Sequence, residues 1–183
     1  MASAAQFGFY SNGVHAIFYN CITSGTGTGG TGNSATGAFF INCTFSRGQS
    51  GINFPSTTTH VNFISNCILT DNTDYGVSCV ATTVPVRLMN CRLRDNTLGN
   101  FNNCQPNADS SNSIGPIITA DGGGPESDFV SASSANPLGY ALIQQSPAYG
   151  VGSFGSNLGA LPKGAGQSVL SPLSRGSRRK KLP

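Results

Sequence analysis

Two aspartates are the residues best spaced to do chemistry in this chain. Asp71 and Asp95 each stand five residues after an asparagine of an Asn-Cys pair, Asn66 and Asn90, and Arg47 stands five after Asn42. Acidic side chains repeated at one offset could bind a calcium ion through their oxygens. They could also cleave a sugar linkage, a reaction that uses two carboxylates at a defined separation. The local sequence favours a plainer reading. Asp-Asn-Thr occurs at both 71–73 and 95–97, and Asp and Asn are good turn formers because their side chains bond the nearby backbone. Asp71 and Asp95 are therefore weak catalytic candidates and are expected to be corner residues, with Arg47 and Arg94 compensating like charges one repeat apart.

The other reactive side chains are few. The whole chain holds seven acidic residues, and Asp121, Glu126 and Asp128 lie outside the repeated region. His15 and His60 fall at different distances from their nearest Asn-Cys, so they are expected not to align as a pair. No CxxC pair and no His-Cys cluster with zinc spacing occurs, so neither a metal site nor a cofactor is expected. The GTGTGGTG stretch from Gly25 lacks the lysine and the strand-to-helix setting of a phosphate loop and reads as a long corner.

The elements that position these residues are written in a repeat. Four hexamers read FYNCIT (from Phe18), FINCTF (from Phe40), ISNCIL (from Ile64) and LMNCRL (from Leu88), spaced 22, 24 and 24 residues apart. A period in the twenties with short apolar stretches is what one coil of a stacked β-solenoid needs, because each coil lays the same residue types over the one below. Aligning on the asparagine gives inward columns Phe18, Phe40, Ile64, Leu88, then Cys21, Cys43, Cys67, Cys91, then Thr23, Phe45, Leu69, Leu93. The last two columns are two residues apart, a strand period. The first two are three apart, so a bend belongs at Asn20, Asn42, Asn66 and Asn90, where asparagine tolerates the left-handed conformation and its side chains can hydrogen-bond along the stack. Gly51, Gly76 and Gly99 recur eight or nine residues after the cysteine and are expected to mark the next corner. Helical periodicity is absent, and 24 glycines with 10 prolines argue against long helices.

The cysteine column predicts small buried hydrophobes. Neighbouring cysteines would sit one rung, about 4.8 Å, apart with parallel side chains, farther than a relaxed disulfide prefers. Composition fits a single domain, all-β, with an unusual surface. Only 9% of the 183 residues are charged against about 25% in ordinary soluble domains, so Ser, Thr, Asn and Gly must cover the exterior. The first ten residues lack the basic start and apolar core of a signal peptide, and the apolar runs are too short to span a membrane.

With the repeat in view, residues 7 to 118 resemble right-handed parallel β-helix proteins of the pectate-lyase-like class. The stretch from Ser127, SDFVSASSANPLGYALIQQSPAYGVGSFGSNLGAL, is similar to the closing segment of many bacterial and viral members, at Asp128, Phe129, Val130, Leu142, Ser146, Pro147, Ala148, Gly150, Gly152, Asn157, Leu158, Gly159 and Ala160. It departs at Tyr149 and Val151, where an acidic residue is common in that class. The resemblance implies a solenoid of about four to five coils over 1–118, the terminal part of what is elsewhere a longer one, then a linker and closing segment over 119–166 and a basic arm over 167–183.

Two features point to partners. The strand before the asparagine is apolar on its outward side too through most coils, at Ile17, Tyr19, Phe39, Ile41, Phe63 and Met89, with only Ser65 and Arg87 breaking the set, where a half-buried strand should alternate with polar residues. Something is expected to cover this stripe: the closing segment folding back, a neighbouring subunit, or a stacked sugar. The arm holds Arg175, Arg178, Arg179, Lys180 and Lys181, half of the ten basic residues, and reads as a solvated end or as an electrostatic hook for an acidic protein, nucleic acid or a membrane surface, with protein partners expected over nucleic acid for the chain as a whole. The expectation is a non-enzymatic structural module of a larger assembly, such as a virion decoration, spike or fibre protein, forming a homo-oligomer or attached to another subunit. Its place would be a virion or an extracellular surface. The alternatives are a carbohydrate-binding module and the terminal part of a polysaccharide lyase or hydrolase.

Overall fold

The computed structural model describes residues 7–12, 15–25, 27–33, 37–57, 60–104, 117–118, 129, 140, 142, 146, 148–149 and 158–159. Among them no α-helix occurs. The strands are β1 (Phe7–Asn12), β2 (Ala16–Tyr19), β3 (Ile22–Ser24), β4 (Thr28–Asn33), β5 (Ala38–Ile41), β6 (Thr44–Ser46), β7 (Ser50–Phe54), β8 (Asn62–Ser65), β9 (Ile68–Thr70), β10 (Tyr75–Cys79), β11 (Val86–Met89), β12 (Cys91–Arg94), β13 (Gly99–Asn102) and β14 (Ile117–Ile118). They form three sheets in the orders β1-β4-β7-β10-β13, β2-β5-β8-β11 and β3-β6-β9-β12-β14. Every strand pairs in parallel with the strand one coil away. The chain is a parallel β-solenoid, with about three turns enclosing a filled interior.

The corners explain why these sequences coil. Asn20, Asn42, Asn66 and Asn90 all take the left-handed backbone conformation, with φ between 49° and 54°, which turns the chain from the second sheet into the third. Five residues later Gly25, Arg47, Asp71 and Asp95 do the same at φ 69°, 57°, 58° and 50°, turning it into the first sheet. A single left-handed residue changes strand direction while leaving its N–H free to bond the next coil. Asn20, Asn42 and Asn66 donate to Ile41, Ser65 and Met89, and Arg47 and Asp71 donate to Thr70 and Arg94, all at 2.9–3.4 Å. The axial ladder thus runs unbroken through both corners.

Inside, the three predicted columns stack. Phe40, Ile64 and Leu88 are buried, Phe18 packs against them from the first turn, and Phe18 and Phe40 lie ring on ring at 4.9 Å. Burying one such side chain contributes roughly 1.5–3 kcal/mol. Ile52, Phe54, Val77 and Cys79 close the interior from the first sheet.

The glycines correct an expectation. Gly51 and Gly76 are not corners but the second residues of β7 and β10, after the turn. A Cβ on Gly51 would come within 2.5 Å of the Gly76 carbonyl and 2.9 Å of Leu69, and one on Gly76 within 2.9 Å of Asn96. They are glycine because backbone carbonyls of the next coil, buried asparagine amides and the inward leucines of the third sheet occupy the space a side chain would need. Gly99, at φ 125°, opens β13.

At the first corner the buried Oδ1 of Asn42 finds no hydrogen-bond partner among the described residues. A buried side-chain amide ladder sits just past the second corner. The Asn72 amide reaches Asn96 Oδ1 at 2.8 Å, Asn96 reaches Asn100 at 2.9 Å, and Asn72 Oδ1 accepts the Gly48 N–H at 3.1 Å. Both asparagines are buried, so these bonds satisfy groups that would otherwise be stranded in the core.

Candidate functional site

The two outer faces flanking the asparagine corner differ in what covers them. On the third sheet the outward positions Thr44, Ser46, Ile68, Thr70, Arg92 and Arg94 are all buried, Arg94 completely. Phe129, Tyr140, Leu142, Ala148 and Leu158 form a second core with Ile68 on this face, with Ile22 and Tyr149 packed beside it. The Tyr140 hydroxyl bonds Ser24, and the Gly159 N–H donates to the Asn66 carbonyl at 2.6 Å. Gly159, at φ 82°, approaches so closely that a Cβ there would meet Thr44 Oγ1 at 2.5 Å. The described residues of the 127–161 stretch therefore pack on the third sheet. The apolar stripe belongs to the second sheet.

On the second sheet the stripe lies at the surface. Ile17 is 69% exposed and Tyr19 58%, while Phe39, Ile41, Phe63 and Met89 are half-buried. Phe39 and Phe63, one coil apart, stack with ring centroids at 6.0 Å and planes 10° from parallel. Register alone produces this: β2, β5 and β8 pair residue for residue, Ile17 with Phe39 and Phe39 with Phe63.

Asp71 and Asp95 sit at the second corner as turn residues. Thr70 Oγ1 donates to Asp71 Oδ2 at 2.8 Å. Burial pushes the Asp71 carboxyl above the usual range, against the lowering effects of the Thr70 bond and Arg94. Asp95 is paired with Arg94 Nη1 at 2.8 Å. Each carboxylate is thus engaged locally, Asp71 by its neighbouring hydroxyl and Asp95 by a buried guanidinium.

The cysteines Cys21, Cys43, Cys67 and Cys91 are free thiols, the last three buried. They do more than fill space. Cys43 Sγ lies 3.4 Å from the Phe18 carbonyl and 3.2 Å from that of Ile41; Cys67 repeats this with Phe40 and Ser65, and Cys91 with Ile64 and Met89. Each thiol donates towards the carbonyls left at the asparagine bend. Burial raises Cys67 well above the usual thiol range and Cys91 to about 12, so both are poor nucleophiles. Cys79 and Cys104, buried at the end of the first sheet, are also free.

The histidines overturn an expectation. Their unequal offsets predicted that they would not align, yet the His15 and His60 rings stand edge to face with centroids 6.0 Å apart. Because Ala16 pairs with Ala38 and Phe39 with Phe63, His15 is in register with Gly37 and Val61, and His60 precedes Val61. Gly37 has no side chain to stand between the rings. Counted from the asparagines the two histidines differ by a single position, five before Asn20 and six before Asn66, and that offset still lets rings two coils apart meet.

Among the described residues no group of three or more His, Cys, Asp or Glu could hold a metal ion, and no helix is long and apolar enough to cross a membrane. The arm residues Arg175, Arg178, Arg179, Lys180 and Lys181 lie outside the described residues, as do the linker and most of the 119–166 stretch. No family model, curated protein or solved structure matches this chain.

Proposed function

We propose that the chain is a non-enzymatic structural module of a larger assembly, such as a virion decoration, spike or fibre protein, with the second sheet as its attachment face. The observation that carries this is the stripe. Ile17 and Tyr19 lie largely in water beside four half-buried apolar side chains, whereas singly scattered apolar residues would need no explanation. A rigid solenoid with one apolar face and few charges suits stacking against another subunit, and the basic arm would add a salt-sensitive contact. We read the solenoid as right-handed, of four to five coils with incomplete outer ones, with 119–166 as its linker and closing segment. On that reading it is kin to the pectate-lyase-like class. A virion or extracellular surface is the setting this reading implies.

The test is the particle mass by light scattering as concentration falls. The wild-type chain is expected to associate. Ile17→Lys combined with Tyr19→Lys should weaken association at least tenfold while leaving the melting temperature within about 2 °C, since neither residue is buried. A folded monomer at every concentration, alone and with its assembly partner, would overturn the reading. Truncation after Leu170 should lower incorporation most at low salt and leave the fold intact. The Phe39–Phe63 stack gives a second reading specific support, because aromatic faces one rung apart can stack sugar rings. Glycan retention abolished by Phe39→Ala would favour that carbohydrate-binding role, and cleavage of the glycan would favour a lyase or hydrolase.

A further inference from the structure

We propose that His15 and His60 form a two-histidine site for a divalent transition metal such as zinc or nickel, clipping the first turn of the solenoid to the third. Imidazole nitrogen is a preferred ligand of these ions. With metal–nitrogen bonds of about 2.0–2.1 Å and a tetrahedral angle, two ligating rings have centroids about 5.2 Å apart. The observed 6.0 Å and 83° between planes therefore ask for a closure of under about 1 Å. Both side chains are exposed, so rotation about their side-chain bonds can supply it.

The backbone around them is built to keep the gap open. Two rungs separate the histidines, a span of about 9.6 Å between strands, and a side chain on the middle rung would stand between them. That rung carries Gly37, buried and at φ 87°, where a Cβ would lie 2.8 Å from the Val61 carbonyl and 3.5 Å from His60 Cβ. The described part of the chain offers two imidazoles and no third His, Cys, Asp or Glu ligand. Water or a donor from a partner would complete the coordination. Such a clip would fasten the end of the solenoid at which Ile17 and Tyr19 are exposed.

The experiment is calorimetric titration of the full-length protein with zinc chloride, and separately with nickel chloride, alongside His15→Ala and His60→Ala. The wild type is expected to bind one equivalent and to melt several degrees higher in saturating metal, since ligand bound to the native state alone stabilises it. Each substitution should weaken binding at least tenfold and remove the thermal shift, without altering the melting temperature of the metal-free protein. Absence of binding at millimolar metal would overturn the proposal. So would binding that survives both substitutions, which would place the metal elsewhere on the chain. The proposal stands apart from the assembly reading, because a monomer can bind metal and an assembly need not.

Discussion

The second and third sheets share each coil and are separated by little more than one asparagine, yet their outer faces are opposite in a way that composition would not suggest. The outward residues of the third sheet are largely Thr, Ser and Arg, and they are buried. The outward residues of the second are mostly Ile, Tyr, Phe and Met, exposed or half-buried, with Arg87 exposed and Ser65 buried among them. Polar side chains can be covered at little loss when each finds a partner; on this face Tyr140 bonds Ser24 and Gly159 bonds the Asn66 carbonyl, while the buried Ser46 Oγ finds no hydrogen-bond partner among the described residues. Apolar side chains left in water mark the face proposed above for attachment. Polarity thus reports whether a position can be satisfied, and only packing reports whether it is buried.

The largest expected effect probes what the two sheets have in common. Cys67 is buried in the shared interior and its thiol bonds carbonyls of two coils. Cys67→Asp should abolish cooperative folding, because an unpaired carboxylate there would cost several kcal/mol. A variant that melts like the wild type would remove the common interior on which the comparison rests.

The sharpest contrast comes from two outward residues only five positions apart. Ile68 on the third sheet is fully buried, and Ile68→Ala should destabilise by about 2–5 kcal/mol in denaturant titration. Phe63 on the second sheet is half-buried, and Phe63→Ala should cost about 1 kcal/mol or less in the isolated chain. Equal losses would mean that the second sheet is covered as well, and a Phe63 loss that appears only at high protein concentration would mean that a second copy covers it.

The smallest effect concerns pH at the corner that leaves the third sheet. The folded Asp71 carboxyl holds its proton above the ordinary value because it is partly buried. The native state therefore binds that proton more tightly than the unfolded chain, so its contribution to stability is greatest at low pH and declines as pH rises through the carboxylate range. Asp71→Asn keeps an acceptor for Thr70 and a residue that tolerates the left-handed turn. Thermal melts from pH 4 to 7 should show a flatter slope and a neutral-pH melting temperature equal to the wild type or higher by about 2 °C at most, since the side chain is still partly solvated. A neutral-pH loss of stability would mean that the charge itself supports the corner.

The sequence by itself determined the coil. Identical residue types at a fixed interval can satisfy one another only by stacking, and the extra residue at Asn20, Asn42, Asn66 and Asn90 forces a bend that asparagine tolerates at φ near 50°. The inward columns followed, because side-chain alternation in a strand is local. Register and cover were decided by the tertiary structure. Gly51 and Gly76 are set by leucines and amides that approach from neighbouring strands, and His15 meets His60 through two strand pairings and one absent side chain. The third sheet is buried on its outer face by residues from Phe129 to Leu158, far along the chain. Each of these depends on which backbone lies beside which, and a repeat specifies that only to within the loops that join its coils.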